Sequence, residues 1–174
     1  MRWETLFADM EAQLGAAERA GVRADVAELV RAERATVHVG DRLRGSVGRS
    51  VRVHVGGADT VDGELVDAAE QWVLVGQGGE RRVLVPVRAI SAVAGLGPYV
   101  APDAGVVERR LGLGHALRAL ARDRAGVLVR SGDAELAGLL GAVGADHAEV
   151  LVRSPGGATP WVVPFASLQQ VRTG

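Results

Sequence analysis

Residues 82–93 read Arg-Val-Leu-Val-Pro-Val-Arg-Ala-Ile-Ser-Ala-Val, and residues 160–171 read Pro-Trp-Val-Val-Pro-Phe-Ala-Ser-Leu-Gln-Gln-Val. Each is a short apolar strand stopped by a proline, with an apolar residue four positions later and another three beyond that. Proline cannot donate to a β-ladder and fixes φ near about −65°, so Pro86 and Pro164 each end a strand and begin a turn. The same punctuation recurs elsewhere. Leu43 is matched by Leu117, Gly63 by Gly138, Trp72 by His147 and Pro86 by Pro164, with an offset that grows from 74 to 78 only across turns. Insertions are cheap there, so the pattern reads as an internal duplication of one small β-unit.

The chain ahead of this repeat has a different period. Trp3, Leu6, Phe7, Met10 and Leu14, then Val22, Val26, Leu29 and Val30, fall at helical spacing among charged residues. They predict one long amphipathic helix over 2–34, bent near Gly21. Its apolar stripe either packs on the protein's own barrels or, through Trp3, Leu6, Phe7, Met10 and Leu14, serves as a dimer or partner interface. From residue 36 the period becomes two. Val37 and Val39 flank His38 as a short strand, and Gly40-Asp41 opens a short helix. Val51, Val53 and Val55, then 61–66, 72–75, 83–85 and 90–93, read as strands. Gly and Pro crowd residues 94–107, a linker, and the second copy follows. The resulting plan is a helix at 1–34, a barrel at 35–93, a linker at 94–107 and a second barrel at 108–174. Gly63 and Gly138 lie inside strands, where the missing Cβ allows the sharp bend a small barrel needs.

Composition narrows the function classes. There is no cysteine, which excludes disulfides, thiolate metal sites and a cysteine nucleophile. All twenty basic residues are arginine, a bias of the kind GC-rich bacterial coding produces. Net charge is −1 and each part lies near neutrality, so nothing resembles the basic excess of a nucleic-acid binder. No apolar run approaches the roughly 20 residues of a membrane span, and the N-terminus lacks a signal-peptide apolar region. A cytoplasmic protein is expected.

A helix followed by five short bent strands resembles the Sm-like (LSm/Hfq-type) barrel, and more loosely the SH3-like barrels. Val51, Val53, Gly63, Leu65, Asp67, Gln71, Trp72 and Leu74 resemble the first Sm motif, and Val85-Pro-Val-Arg-Ala-Ile-Ser-Ala-Val93 the second. The resemblance implies a mainly β protein with two tandem five-stranded barrels after the N-terminal helix. It also implies edge-to-edge pairing of barrels, one edge satisfied within the chain and the other left for a dimer. Gln71 stands where that family has Asn, and the second copy has Ala142 and Asp146 at the polar pair. Only Gln71 and Arg88 carry over as nucleotide contacts.

The remaining candidates are arginines. Arg118 and Arg122 share a helical face, Arg124 follows, and the first copy offers Arg42, Arg44 and Arg49. These could form a basic stripe for nucleic acid. His38, His54, His115 and His147 fall at unrelated spacings, so no metal, cofactor or catalytic set is expected. The reading is a non-enzymatic scaffold that self-associates or binds a protein partner through its helix or barrel edges. An Sm-like RNA-binding regulator is the alternative, and a ligand-binding barrel or enzyme comes last.

Overall fold

The computed structural model describes residues 13, 15, 19, 21–32, 35–57, 59–101 and 112–174. Two compact units divide the chain, Met1–Val37 and His38–Gly174. In the first, residues 21–32 are helical, with Val22, Val26, Leu29 and Val30 exposed. Arg31 pairs with Glu28 at 2.5 Å on open surface, a geometry worth little in water. The long helix expected over 2–34 is therefore corrected: the continuous described helix is 21–32, and Trp3, Leu6, Phe7, Met10 and Leu14 lie outside the described residues.

The second unit is one open antiparallel sheet. Helix α1 (Val39–Arg44) precedes β1 (Ser50–Val55), β2 (Asp59–Ala68), β3 (Trp72–Gly76), β4 (Arg82–Pro86) and β5 (Ile90–Ala94), with a 3-10 turn, Val87–Ala89, before β5. Helix α2 (Leu113–Asp123) precedes β6 (Gly126–Ser131), β7 (Ala134–Val143), β8 (His147–Ser154), β9 (Gly157–Pro164) and β10 (Leu168–Thr173), again with a 3-10 turn, Phe165–Ser167, before the last strand. The strand order is β5-β1-β2-β3-β4-β10-β6-β7-β8-β9. Two closed five-stranded barrels are thus not what forms. The reason lies at β4, whose outer edge pairs with β10 of the other half rather than with β5 of its own. The strand expected at 37–39 is also absent: Val39 is the first residue of α1 and His38 is its N-cap.

Alternation sets which face each strand buries. Val51, Val53 and Val55 of β1 are buried while Arg52 and His54 face out. In both halves the last strand turns back to the first, Val93 opposite Val53 and Val171 opposite Val129. Gly63 faces Val51 and Gly138 faces Val127. A Cβ at Gly63 would strike the carbonyl oxygen of Gly76, and one at Gly138 that of Leu151. The backbone of the neighbouring strand thus fills the space where a side chain would stand. A register shift follows each glycine, between Leu65 and Asp67 and between Leu140 and Val143, and such bulges bend a strand. The two 3-10 turns are fastened alike: Val87 N–H donates to Gln71 O at 2.9 Å and Phe165 N–H to Asp146 O at 2.6 Å.

Two apolar clusters result. One joins Leu43 to Val51, Val53, Val55, Val61, Leu65, Val73, Val75, Val83 and Val85. The other joins Leu113 and Leu117 of α2 to buried residues of β6–β10, and it also takes in Ala69, Trp72 and Leu84 from the first half. Burying one such large apolar side chain is worth roughly 1.5–3 kcal/mol, so the second half draws part of its core from the first. Gly63→Ala and Gly138→Ala are each expected to lower unfolding free energy by about 2–3 kcal/mol. Gly126→Ala, whose Cβ meets open space, should stay within about 0.5 kcal/mol. Urea denaturation of the three variants checks the contrast.

Candidate functional site

The seam between the halves and the two outer edges of the sheet carry most of the distinctive chemistry. At the seam, Leu84 lies opposite Val171, Val83 opposite Arg172 and Arg82 opposite Thr173. Polar groups flank this ladder. Asp59, at the start of β2, accepts from Arg130 of β6 and from Gln170 Nε2 of β10 at 2.8 Å. Gln170 is only 2% exposed, and its Oε1 accepts in turn from Arg172 Nε at 3.3 Å. Buried amides of this kind are costly unless partnered, and these ties partner both ends. Gln71 Oε1 accepts from the Leu113 N–H at 3.0 Å, which satisfies an otherwise open donor at the first turn of α2. Arg88 Nη2 reaches the Leu168 carbonyl at 3.4 Å. Partial burial pulls the Arg88 pKa below its ordinary value, yet a guanidinium remains cationic near neutrality. A cleft of about 440 Å³ opens here, lined by Glu70, Gln71, Val87, Arg88, Leu113 and Phe165.

The two residues that the Sm-like resemblance singled out, Gln71 and Arg88, therefore both reach across the seam. The arginines divide. Arg118, Arg122 and Arg124 line one cleft of about 490 Å³ with Ala121, Gly141 and Val143. Arg42, Arg44 and Arg49 are not part of that lining. Arg44 pairs with Asp41 at 2.6 Å, and Arg49 Nε donates to Gly95 O at 3.2 Å. Among the described residues no His, Asp and Glu cluster is placed to hold a metal ion, and no helix is long and apolar enough to cross a membrane. His54 Nδ1 lies 3.1 Å from Thr60 Oγ1, and Ser46 Oγ donates to Arg42 O and accepts from Gly97 N–H. His147 Nδ1 lies 2.8 Å from Asp146 Oδ1, and this hydrogen bond holds the Asp146 carboxyl below the usual carboxylate range.

Among the described residues the sheet ends at β5 on one side and at β9 on the other. On β9, Trp161 and Val162 are 52% and 61% exposed. Their counterparts on β4, counted back from Pro164 and Pro86, are Val83 and Leu84, at 1% and 3%. Both positions are sealed in one half and bare in the other. Trp161, Val162, Asp59, Arg130 and Gln170 belong to no functional motif in the sequence. Only Trp161 gave a signal, a large aromatic in a strand of a chain with 3% aromatics.

Comparison with protein-family models, with curated proteins and with solved structures finds no match.

Asp59→Ala is expected to cost about 1–3 kcal/mol, because it leaves Gln170 Nε2 and Arg130 without their acceptor. Asp62→Ala removes a pair that is more than half exposed, Arg52–Asp62 at 2.6 Å, and should cost below about 1 kcal/mol. Thermal unfolding of the two variants in low salt measures the difference.

Proposed function

We propose that this protein is a non-catalytic scaffold that assembles with copies of itself through the free edges of its ten-stranded sheet. The observation that carries the reading is the pair Trp161 and Val162, two large apolar side chains exposed on opposite faces of an outermost strand. An edge strand presents unpaired N–H and C=O groups, and proteins usually blunt such edges with charge. Here residues 157–164, Gly-Ala-Thr-Pro-Trp-Val-Val-Pro, contain no charge at all. Pro160 removes one donor, which shortens the free ladder without covering it. The hydrogen bonds of Ser46, His54 and His147 favour structural roles for side chains that could otherwise suggest chemistry.

Sedimentation of the full chain should show a mass that rises with concentration. Trp161→Arg should return it to a monomer without changing its unfolding midpoint, since the position is already half exposed. A wild-type chain that stays monomeric throughout the concentration range sinks the reading.

A second reading rests on a different observation. Arg118, Arg122 and Arg124 line one cleft, and among the described residues none of them forms an ion pair. Such a cluster suits a polyanion such as a single-stranded RNA backbone. Binding should then weaken steeply with salt, as counterion release requires, and the double variant Arg118→Ala, Arg122→Ala should lose it. Absence of a mobility shift for uridine-rich or adenosine-rich RNA at low salt removes this alternative.

A further inference from the structure

The seam within the chain is a template for a contact between chains. It joins the outer edge of β4 to the outer edge of β10. The same element of the second half as β4 is β9, and the same element of the first half as β10 is β5. Pro86 and Pro164 close the first pair, and Ile90 and Leu168 open the second, in each case 78 residues apart. These two, β9 and β5, are the strands left at the ends of the sheet. One molecule therefore carries both sides of a joint that it has already made once in its middle.

We infer that β9 of one molecule pairs antiparallel with β5 of a second copy, head to tail, in the register of the internal seam. Carried across by those offsets, Leu84 opposite Val171 becomes Val162 opposite Val93 of the second copy. Val83 opposite Arg172 becomes Trp161 opposite Ala94, and Arg82 opposite Thr173 becomes Pro160 opposite Gly95. The inference rests on the self-assembly reading and specifies it, because an edge could also pair with its own symmetry mate, β9 on β9.

Chemistry supports a joint weaker than the internal one. Most polar ties of the seam have no equivalents at the outer edges: Asp59, Arg130, Gln170 and Arg88 correspond to Ala134, His54, Ala92 and Ala166, and Gln71 alone keeps an acceptor, in Asp146. Pro160 supplies no N–H, so the ladder between copies is short. What remains is apolar contact from Trp161 and Val162 plus a few backbone hydrogen bonds. Such a joint depends on concentration and persists in salt, because screening acts on charges and not on apolar burial. A head-to-tail contact leaves each new complex with one free edge of each kind, so it closes into a ring or continues as a filament according to the angle between units.

Two single variants at exposed positions test the register, each blocking one side. Val162→Arg places a charge on β9 and leaves β5 intact; Ala92→Arg does the reverse, at the position whose counterpart Gln170 is buried in the seam. Each variant alone should sediment as a monomer with a wild-type unfolding midpoint. Mixed in equal amounts they should form a discrete species of about twice the monomer mass and nothing larger, because only one productive joint exists between them. The mixture's mass should hold in high salt. If Ala92→Arg assembles like wild type while Val162→Arg does not, self-assembly through β9 stands and the β5 partner is wrong. A mixture that stays monomeric overturns the inference as well. If wild type itself never associates, the underlying reading fails first.

Discussion

Where β4 meets β10, Leu84 and Val171 lie opposite each other and both are sealed from solvent. Three rungs of ladder are modest in themselves. Their importance is that Ala69, Trp72 and Leu84 cross into the apolar cluster of the other half. Each half has its own bent sheet and its own covering helix, but only the first has a cluster built wholly from its own residues. The Gln71 acceptor at the start of α2, the Asp59 carboxylate on Gln170 and Arg130, and the Arg88 contact with Leu168 all depend on that strand pairing. Without the ladder none of these partners would be in reach.

Polar and apolar contributions at the seam differ in kind. A net hydrogen bond is worth about 0.5–1.5 kcal/mol, and burial of a large apolar side chain about twice that. The apolar residues therefore supply most of the attraction, and the polar ones select the register. Gln170, buried and bound at both ends of its amide, would be stranded by a slip of one residue along the ladder. The free edges keep the apolar component, in Trp161 and Val162, and lack most of the selecting one, since Asp59, Arg130 and Gln170 become Ala134, His54 and Ala92. In the proposed assembly, that asymmetry would separate the permanent joint inside the chain from a reversible one between copies.

Much of the local structure was legible from the residues. Alternation of Val51, Val53 and Val55 with Arg52 and His54 marks β1, Pro86 and Pro164 stop β4 and β9, and Gly63 and Gly138 sit where a neighbouring carbonyl leaves no room for a Cβ. Period and punctuation are local properties, and a sequence states them directly. Which edges pair is not local. Nothing in residues 82–86 says that β4 takes β10 and not β5, so closed barrels and an open sheet share one pattern. Val37 and Val39 misled for a related reason: a two-residue alternation is too short to separate a strand from the entry to a helix, and His38 serves there as the N-cap. Gln71 and Arg88 stood out through a resemblance to nucleotide-binding positions, whereas their contacts run across the seam to residues 42 and 80 positions further along the chain. Contacts over such separations leave no trace in a single sequence.

The order of the sheet differs from the order of the chain at one point that matters for folding. β4 is followed by six more strands in sequence, yet its neighbour in space is β10, the one that comes after all the others. On a ribosome, Leu84 would therefore emerge well before β10, so the growing chain carries this apolar surface while the strands between them are made. Contacts this distant also slow the search for the native state, because a long loop must close before they form. The seam that makes one sheet out of two halves is thus the last part to be completed and the part most open to unwanted partners in the meantime.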